Sequence, residues 1–124
     1  MSKLKENVKN ELEKYNLLSI VEYYLNKSGL INIDYDDINL LLENRKIKNF
    51  YYDKIDINNE IKFNFSPNND THAIVIIESN NYVSMKDIEK ILNAIRNSFD
   101  SLDIILGCYL NEKIDDIKVL EISA

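Results

Sequence analysis

Apolar residues near the amino terminus recur at every third or fourth position from residue 3 to residue 27. This spacing is the period of an amphipathic helix, so it predicts one long helix whose apolar face packs against another layer. Glycine accepts the left-handed backbone that ends many helices, and Ser28 and Gly29 are therefore expected to terminate the helix. The apolar positions are Leu4, Val8, Leu12, Tyr15, Leu18, Val21 and Leu25.

A second helical pattern lies at residues 35–45, after a short extended link. Ile38, Leu41 and Leu42 supply its apolar face. Asp34 stands directly before the first turn, where its side chain can accept a hydrogen bond from a free backbone N–H group. The pattern therefore predicts a short capped helix.

Aromatic and β-branched residues dominate residues 46–66. This composition predicts one or two strands, and Asn58 and Asn59 are suitable residues for a hairpin turn between them. The polar run at residues 66–71 predicts a loop.

The apolar run at residues 73–78 is continuous, which is typical of a central strand that is covered on both faces. Ser84 and Asp87 then resemble a capping box with Asp in place of Glu, and they predict the start of another helix. Two more strands are expected at residues 102–110 and 117–123, and the short charged turn between them favours an antiparallel pair. The inner face of the helix is expected to consist of Ile88, Ile91, Leu92, Ile95 and Phe99.

The order of these elements predicts an α/β (α+β) fold, with helices packed on a mixed sheet of four to five strands. The chain has 124 residues, which fits one domain. Within this domain, residues 1–28 are expected to form the long core helix. Residues 29–124 are expected to form the loop, the sheet and the remaining helices.

Charge and hydropathy exclude several classes of partner. The net charge is −6 and no basic cluster is present, so the chain lacks the positive charge that binding to a nucleic-acid backbone requires. The longest apolar runs are far below the roughly 20 residues that would span a bilayer. Cys108 is the single cysteine and has no partner for a disulfide. We therefore expect a soluble, cytoplasmic protein with neither a nucleic-acid nor a membrane partner.

Few side chains are suited to holding a cofactor. Loops that wrap phosphates need several closely spaced glycines, and the chain has only two, Gly29 and Gly107. His72 is the only histidine, so a typical metal site is not expected. Cys108 is interpreted as a small core residue rather than a nucleophile. The sequence predicts no cofactor and no metal.

Polar residues concentrate between the first two predicted helices, at Asn32, Asp34, Asp36 and Asp37. Carboxylates at such a junction can orient a water molecule or hold a hydrated magnesium ion. The same residues also have ordinary structural roles. Asp34 can cap the helix, Asp36 and Asp37 complement the positive end of its dipole, and asparagine is a common turn residue. Spacing alone favours the structural interpretation.

The stretch at residues 29–42, GLINIDYDDINLLL, resembles the synergy loop of the FtsZ and tubulin family of filament-forming GTPases. The family pattern is Asn-x-Asp-x-x-Asp between a long core helix and the next helix, and Asn32, Asp34 and Asp37 match it. Residues 101–124 are similar to the closing strand pair of the family's C-terminal domain. The resemblance implies an FtsZ/tubulin C-terminal-domain-like (chorismate-mutase-like) sandwich preceded by a long core helix, with no counterpart of the GTP-binding domain.

In this family one subunit holds GTP, and the synergy loop of the next subunit completes the hydrolytic site. The resemblance therefore implies that Asp34 and Asp37 act in trans on the attacking water, and that Asn32 contacts the nucleotide end of the neighbour. Asp36 stands where the family usually has a small uncharged residue, so this loop is more acidic. Residues 46–71 have no convincing match to the family.

Three hypotheses follow for the function. The leading one is a bacterial FtsZ-like module, not an enzyme on its own, that docks through residues 32–37 onto an FtsZ- or tubulin-like partner in cell division or filament assembly. The alternative is a divergent relic that self-associates through the freed face of the first helix or through an open sheet edge. The third is a fragment of a longer FtsZ-type GTPase.

Overall fold

The computed structural model describes residues 3–66, 69–81 and 83–124. In this part of the chain, four helices pack on one four-stranded mixed sheet, which confirms the predicted α+β fold. In chain order the elements are α1 (Glu6–Glu13), α2 (Leu18–Leu25), α3 (Tyr35–Leu42), β1 (Asn49–Ile55), β2 (His72–Ser79), α4 (Met85–Arg96), β3 (Asp103–Leu110) and β4 (Ile117–Ser123).

The strand order in the sheet is β1-β4-β2-β3. β2 pairs parallel with β3 and antiparallel with β4, and β4 pairs antiparallel with β1. All β2 residues except the first, His72, are buried, as the continuous apolar run predicted. The two edge strands of the sheet are β1 and β3.

The sheet separates two apolar cores. Alternate residues of β2 point to opposite faces, so Ile74 and Ile76 pack against α1, α2 and α3, whereas Val75 and Ile77 pack against α4. The second core also receives Phe63 from the irregular segment after β1. The result is a three-layer arrangement with the sheet in the middle.

The predicted long helix is two helices, which corrects the sequence-based prediction. Asn16 has a φ of 58°, and the Leu17 N–H donates to the Leu12 carbonyl oxygen at 3.0 Å. A second bond joins the Asn16 N–H to the Glu13 carbonyl oxygen at 3.2 Å. These are the paired bonds of a Schellman motif, which asparagine can form because it tolerates the left-handed conformation. Apolar periodicity continues across the break and therefore conceals it.

The predicted glycine stop is also wrong. α2 ends at Leu25, and the following residue, Asn26, has a φ of −97°. Neither glycine has a positive φ. Similarly, α3 ends at Leu42 and not at Arg45, the end that the sequence predicted. Asn44, two residues after the end of the helix, has a φ of 65°.

Two strand pairings differ from the prediction because they join residues that are distant in sequence. β1 pairs with β4 and does not form a hairpin, although a turn at residues 56–59 is present. β3 and β4 are not neighbours, because β2 lies between them. The turn at residues 111–116 thus crosses the end of β2. Of the loop predicted at residues 66–71, Pro67 and Asn68 lie outside the described residues.

Candidate functional site: the acidic loop

The acidic loop, residues 32–37, follows a segment that lies against the outer edge of β3. Ile31 forms an antiparallel bridge with Cys108: the Cys108 N–H donates to the Ile31 carbonyl oxygen at 2.9 Å, and the Ile31 N–H donates back at 3.3 Å. A Cβ added at Gly29 would lie 2.4 Å from the Cys108 carbonyl oxygen. Glycine is therefore needed here for close approach to β3.

Two further hydrogen bonds fix the start of the loop. The Asn32 Oδ1 atom accepts from the Gly29 N–H at 2.7 Å, which closes a tight turn. The Ile33 N–H donates to the Tyr109 hydroxyl oxygen at 2.9 Å, and the Ile33 side chain is buried beside Gly107. Asn32 thus has the turn role that its residue type suggested, with its side chain at the surface.

Asp34 and Asp37 form a reciprocal capping box at the start of α3. The Asp37 N–H donates to Asp34 Oδ1 at 2.9 Å, and the Asp34 N–H donates to Asp37 Oδ2 at 3.0 Å. Each carboxylate uses one oxygen for the cap. The structural role expected for Asp34 is therefore confirmed, and Asp37 shares it.

The loop concentrates negative charge at the surface. Asp34 and Asp36 are exposed and Asp37 is half-buried. Partial burial raises the pKa of Asp37; the hydrogen bond from the Asp34 backbone lowers it, but the charges of Asp34 and Asp36 raise it further. Within the described residues, Asp36 makes no hydrogen bond or ion pair, and its position in the first turn of α3 lets its charge complement the helix dipole.

A partly buried polar cluster anchors the helix that leads into the loop. Glu78, at the end of β2, accepts hydrogen bonds from the hydroxyls of Tyr23 and Tyr24, each at 3.0 Å. The Lys27 ammonium lies 3.7 Å from the same carboxylate. Burial, the Tyr52 hydroxyl and Glu78 raise the pKa of Tyr24. Sequence reasoning missed this cluster, and adjacent tyrosines late in an amphipathic helix were the only signal for it.

The side chains of the remaining candidates are not part of the acidic loop. His72 is at the opposite end of β2, with its Nδ1 atom 2.7 Å from the Thr71 hydroxyl and its Nε2 atom 3.7 Å from Asp103. The Cys108 thiol is buried, and burial raises its pKa, which disfavours the reactive thiolate. Over residues 3–66, 69–81 and 83–124, no group of three or more His, Cys, Asp or Glu side chains is arranged to hold a metal ion.

Two substitutions of Asp34 separate the loss of the helix cap from the loss of the charge. We expect Asp34→Ala to lower the free energy of unfolding by about 1 kcal/mol, because the Asp37 N–H loses its acceptor. Asp34→Ser removes the charge but keeps an N-cap acceptor, so its stability should stay close to that of the wild type. Urea denaturation of the two variants measures this difference. Equal stability of both variants would contradict the capping role.

No helix in the described part of the chain has the length and apolarity needed to cross a membrane.

Comparison with known proteins gives one sequence match. No protein-family model matches the chain. Mitochondrial exonuclease V of Debaryomyces hansenii is 32% identical over 108 residues, which cover 82% of this chain but 15% of that protein. This share is too small to transfer the activity of the whole exonuclease.

Solved structures similar to this chain include two of FtsZ from M. jannaschii. A mutant form has a TM-score of 0.56 at 15% identity, and an empty dimer has a TM-score of 0.58 at 15% identity. Each match covers 98% of this chain, and 42% and 40% of the FtsZ chains, respectively. CetZ from Methanosaeta thermophila has a TM-score of 0.53 at 11% identity and covers 99% of this chain and 39% of its own. The chain therefore spans less than half of these proteins, and its fold is that of an FtsZ/tubulin C-terminal domain.

Proposed function

We propose that the chain is a protein-interaction module that docks through the acidic loop onto an FtsZ- or tubulin-like subunit. Docking would cap a filament end or change the rate at which that subunit hydrolyses GTP. The setting would be cell division or filament assembly. On this proposal the chain is not an enzyme by itself. Asp34 and Asp37 contribute in trans to a site whose nucleotide belongs to the partner.

The observation that carries the proposal is the position of three acidic side chains, two exposed and one half-buried, where a surface loop meets α3 in an FtsZ-like fold. Hydrogen bonds within the chain hold the loop backbone: the Gly29 N–H donates to Asn32, and the Ile33 N–H donates to the Tyr109 hydroxyl. A preformed loop loses little conformational entropy on binding, which favours affinity. Exposed Leu30 and Ile31 lie beside it and add apolar contact area.

The capping box leaves carboxylate oxygens that can bind a partner. A carboxylate has two oxygens and about four acceptor positions, and the cap uses one oxygen each of Asp34 and Asp37. The second oxygens can accept from a water molecule or from a cationic side chain. Because Asp36 adds a third negative charge, the partner surface must be basic or carry a cation.

The test adds this chain to polymerising FtsZ encoded by the same genome, and measures pelleted polymer and phosphate release. We expect the wild-type chain to change both in a concentration-dependent way. A triple variant, Asp34→Ser with Asp36→Asn and Asp37→Asn, keeps the capping acceptors while it removes three charges. We expect this variant to bind FtsZ at least about tenfold more weakly than the wild type.

Phe50→Lys is the matched control, because Phe50 is exposed on β1, at the sheet edge opposite the acidic loop. Its effect on FtsZ should equal that of the wild type. Unchanged polymer and turnover with the wild-type chain, or an equal effect of the triple variant, would overturn the proposal.

A further inference from the structure

We propose that Tyr109 is a positioning residue for docking: its hydroxyl holds the acidic loop against β3 in the conformation that binds the partner. This role rests on the function proposed above and adds the residue that presets the docking surface. Three features support it: a single hydrogen bond to the loop, a ring that is held without the hydroxyl, and the place of Ile33 beside the capping box.

One hydrogen bond ties the acidic loop to the sheet. The Tyr109 hydroxyl accepts from the Ile33 N–H at 2.9 Å, and both residues are buried. In the described part of the chain, the other hydrogen bonds of residues 32–37 stay within residues 29–42. The bridge between Ile31 and Cys108 lies just before the loop. The Tyr109 hydroxyl is therefore the group through which β3 holds the loop itself.

Close contacts hold the ring of Tyr109 on several sides. The chain has two glycines, and both lie against this ring. A Cβ added at Gly29 would lie 2.7 Å from the Cδ1 atom of the ring, and a Cβ added at Gly107 would lie 3.1 Å from its Cε2 atom. The Tyr24 ring packs on it as well, with the ring centroids 5.3 Å apart. None of these contacts needs the hydroxyl, so phenylalanine can take the same position.

Ile33 links this hydrogen bond to the acidic side chains. It directly precedes Asp34, the N-cap residue of α3, whose backbone and side chain both take part in the capping box with Asp37. A shift of Ile33 therefore moves the capping box and its two carboxylates relative to β3.

The Tyr109 hydroxyl is a neutral acceptor at ordinary pH. Burial raises the pKa of Tyr109; the hydrogen bond from the Ile33 N–H lowers it, but the charge of Asp37 raises it further. The Ile33 N–H has no second hydrogen-bond partner among the described residues. Without the hydroxyl this buried donor must reach water or stay unpaired, and the loop is then expected to shift away from β3.

Tyr109→Phe removes the hydroxyl and keeps the ring. We expect the Ile33 amide to exchange about tenfold faster in this variant than in the wild type, and the backbone order parameters of residues 33–37 to fall. The amides of Ile31 and Cys108 should keep their protection, because their bridge does not involve the hydroxyl. Circular dichroism and urea denaturation establish that the variant is folded.

The same variant should need roughly tenfold more protein for its half-maximal effect on phosphate release by FtsZ, with an unchanged effect at saturation. The reason is that a loop found in the docking conformation about one time in ten binds about tenfold more weakly, whereas the bound state is the same. A residue that served stability alone would change neither value in a folded protein.

Tyr51→Phe is the matched control. The Tyr51 hydroxyl donates to the Lys54 carbonyl oxygen at 3.0 Å on β1, the opposite edge strand of the sheet. Removing it makes the same chemical change away from the acidic loop. Its half-maximal concentration and its Ile33 exchange rate should equal those of the wild type.

The outcomes separate this role from the proposed function. If the wild type affects FtsZ and Tyr109→Phe does so at the same concentration, the role of Tyr109 is overturned and the proposed function stands. Unchanged Ile33 exchange in Tyr109→Phe would also overturn the role. A wild-type chain without any effect on FtsZ would overturn the proposed function and the role of Tyr109 in docking together.

Discussion

At pH 8, Glu121→Gln is expected to unfold at a clearly higher temperature than the wild type, whereas near pH 4.5 the two proteins should unfold almost alike. Glu121 lies in the middle strand pair of the sheet, opposite Tyr51 on β1 and Val75 on β2. Its side chain is fully buried on the α4 face. Within the described residues, neither of its carboxyl oxygens has a hydrogen-bond partner.

Burial raises the pKa of Glu121 to about 8; the nearby Ser123 hydroxyl lowers it and the charge of Asp70 raises it. Ser123 offers little compensation, because its hydroxyl donates to Asp70 at 2.8 Å. The folded protein therefore keeps this carboxyl protonated at neutral pH. Glutamine has nearly the same shape and no charge, so it can replace the protonated form.

The sign of the pH dependence follows from proton binding. Between the ordinary pKa of 4.5 and the folded pKa of about 8, the folded state binds a proton that the unfolded state has lost. Stability is therefore fully present below pH 4.5 and falls by about 1.4 kcal/mol per pH unit until the folded group ionises. The total loss is at most roughly 5 kcal/mol.

Thermal and urea unfolding from pH 4.5 to pH 9 measure this loss, and Glu121→Gln should flatten the profile. Glu11→Gln provides the opposite control. Burial raises the pKa of Glu11, but hydrogen bonds from the Ile47 N–H and from Lys14 outweigh it, and the net pKa is lowered. Glu11→Gln should therefore destabilise the protein at pH 7. If the stability of Glu121→Gln and of the wild type changed with pH in the same way, Glu121 would not be the group whose pKa is raised.

Gly29→Ala is expected to lower the free energy of unfolding by about 1–3 kcal/mol and to loosen the acidic loop. The added Cβ would lie 2.4 Å from the Cys108 carbonyl oxygen and 2.7 Å from the Tyr109 ring, so the segment must move away from β3. That movement also strains the Ile31 bridge. Urea denaturation measures the stability, and hydrogen exchange at Ile31 and Cys108 measures the bridge.

Two controls separate close approach from a helix-stop role for Gly29. Ser28→Ala, on an exposed neighbour, should leave stability nearly unchanged. Gly29→Asn should be at least as destabilising as Gly29→Ala, since its Cβ meets the same atoms. Asparagine tolerates the left-handed conformation, so recovery of stability in Gly29→Asn would support a helix stop and contradict the contact with β3.

The sequence predicted elements whose signals are local. α3 begins where Asp34 caps it, and β2 is central because its apolar run is continuous. α4 begins at the Ser84 cap, and Ile88, Ile91 and Ile95 are buried as their spacing predicted. The break between α1 and α2 was missed because Asn16 interrupts the backbone without interrupting the apolar pattern.

Features that depend on distant residues could not be predicted in this way. The pairing of β4 with both β1 and β2 joins residues that are at least 40 positions apart. In the acidic loop, the capping role of Asp34 follows from local sequence, whereas the role of Gly29 depends on β3 lying beside it. The sequence around Glu121 does not show that its side chain is buried, because that burial depends on the packing of distant segments, α4 among them, on the same face of the sheet.

On the function proposed above, the acidic loop is the surface that contacts an FtsZ-like partner. An NMR titration of the isotope-labelled chain with FtsZ from the same genome tests this contact. We expect the amide signals of residues 30–37 to shift or broaden first, and the triple variant to lose this response. Signal changes confined to β1 or to the outer face of α1, with residues 30–37 unaffected, would contradict it.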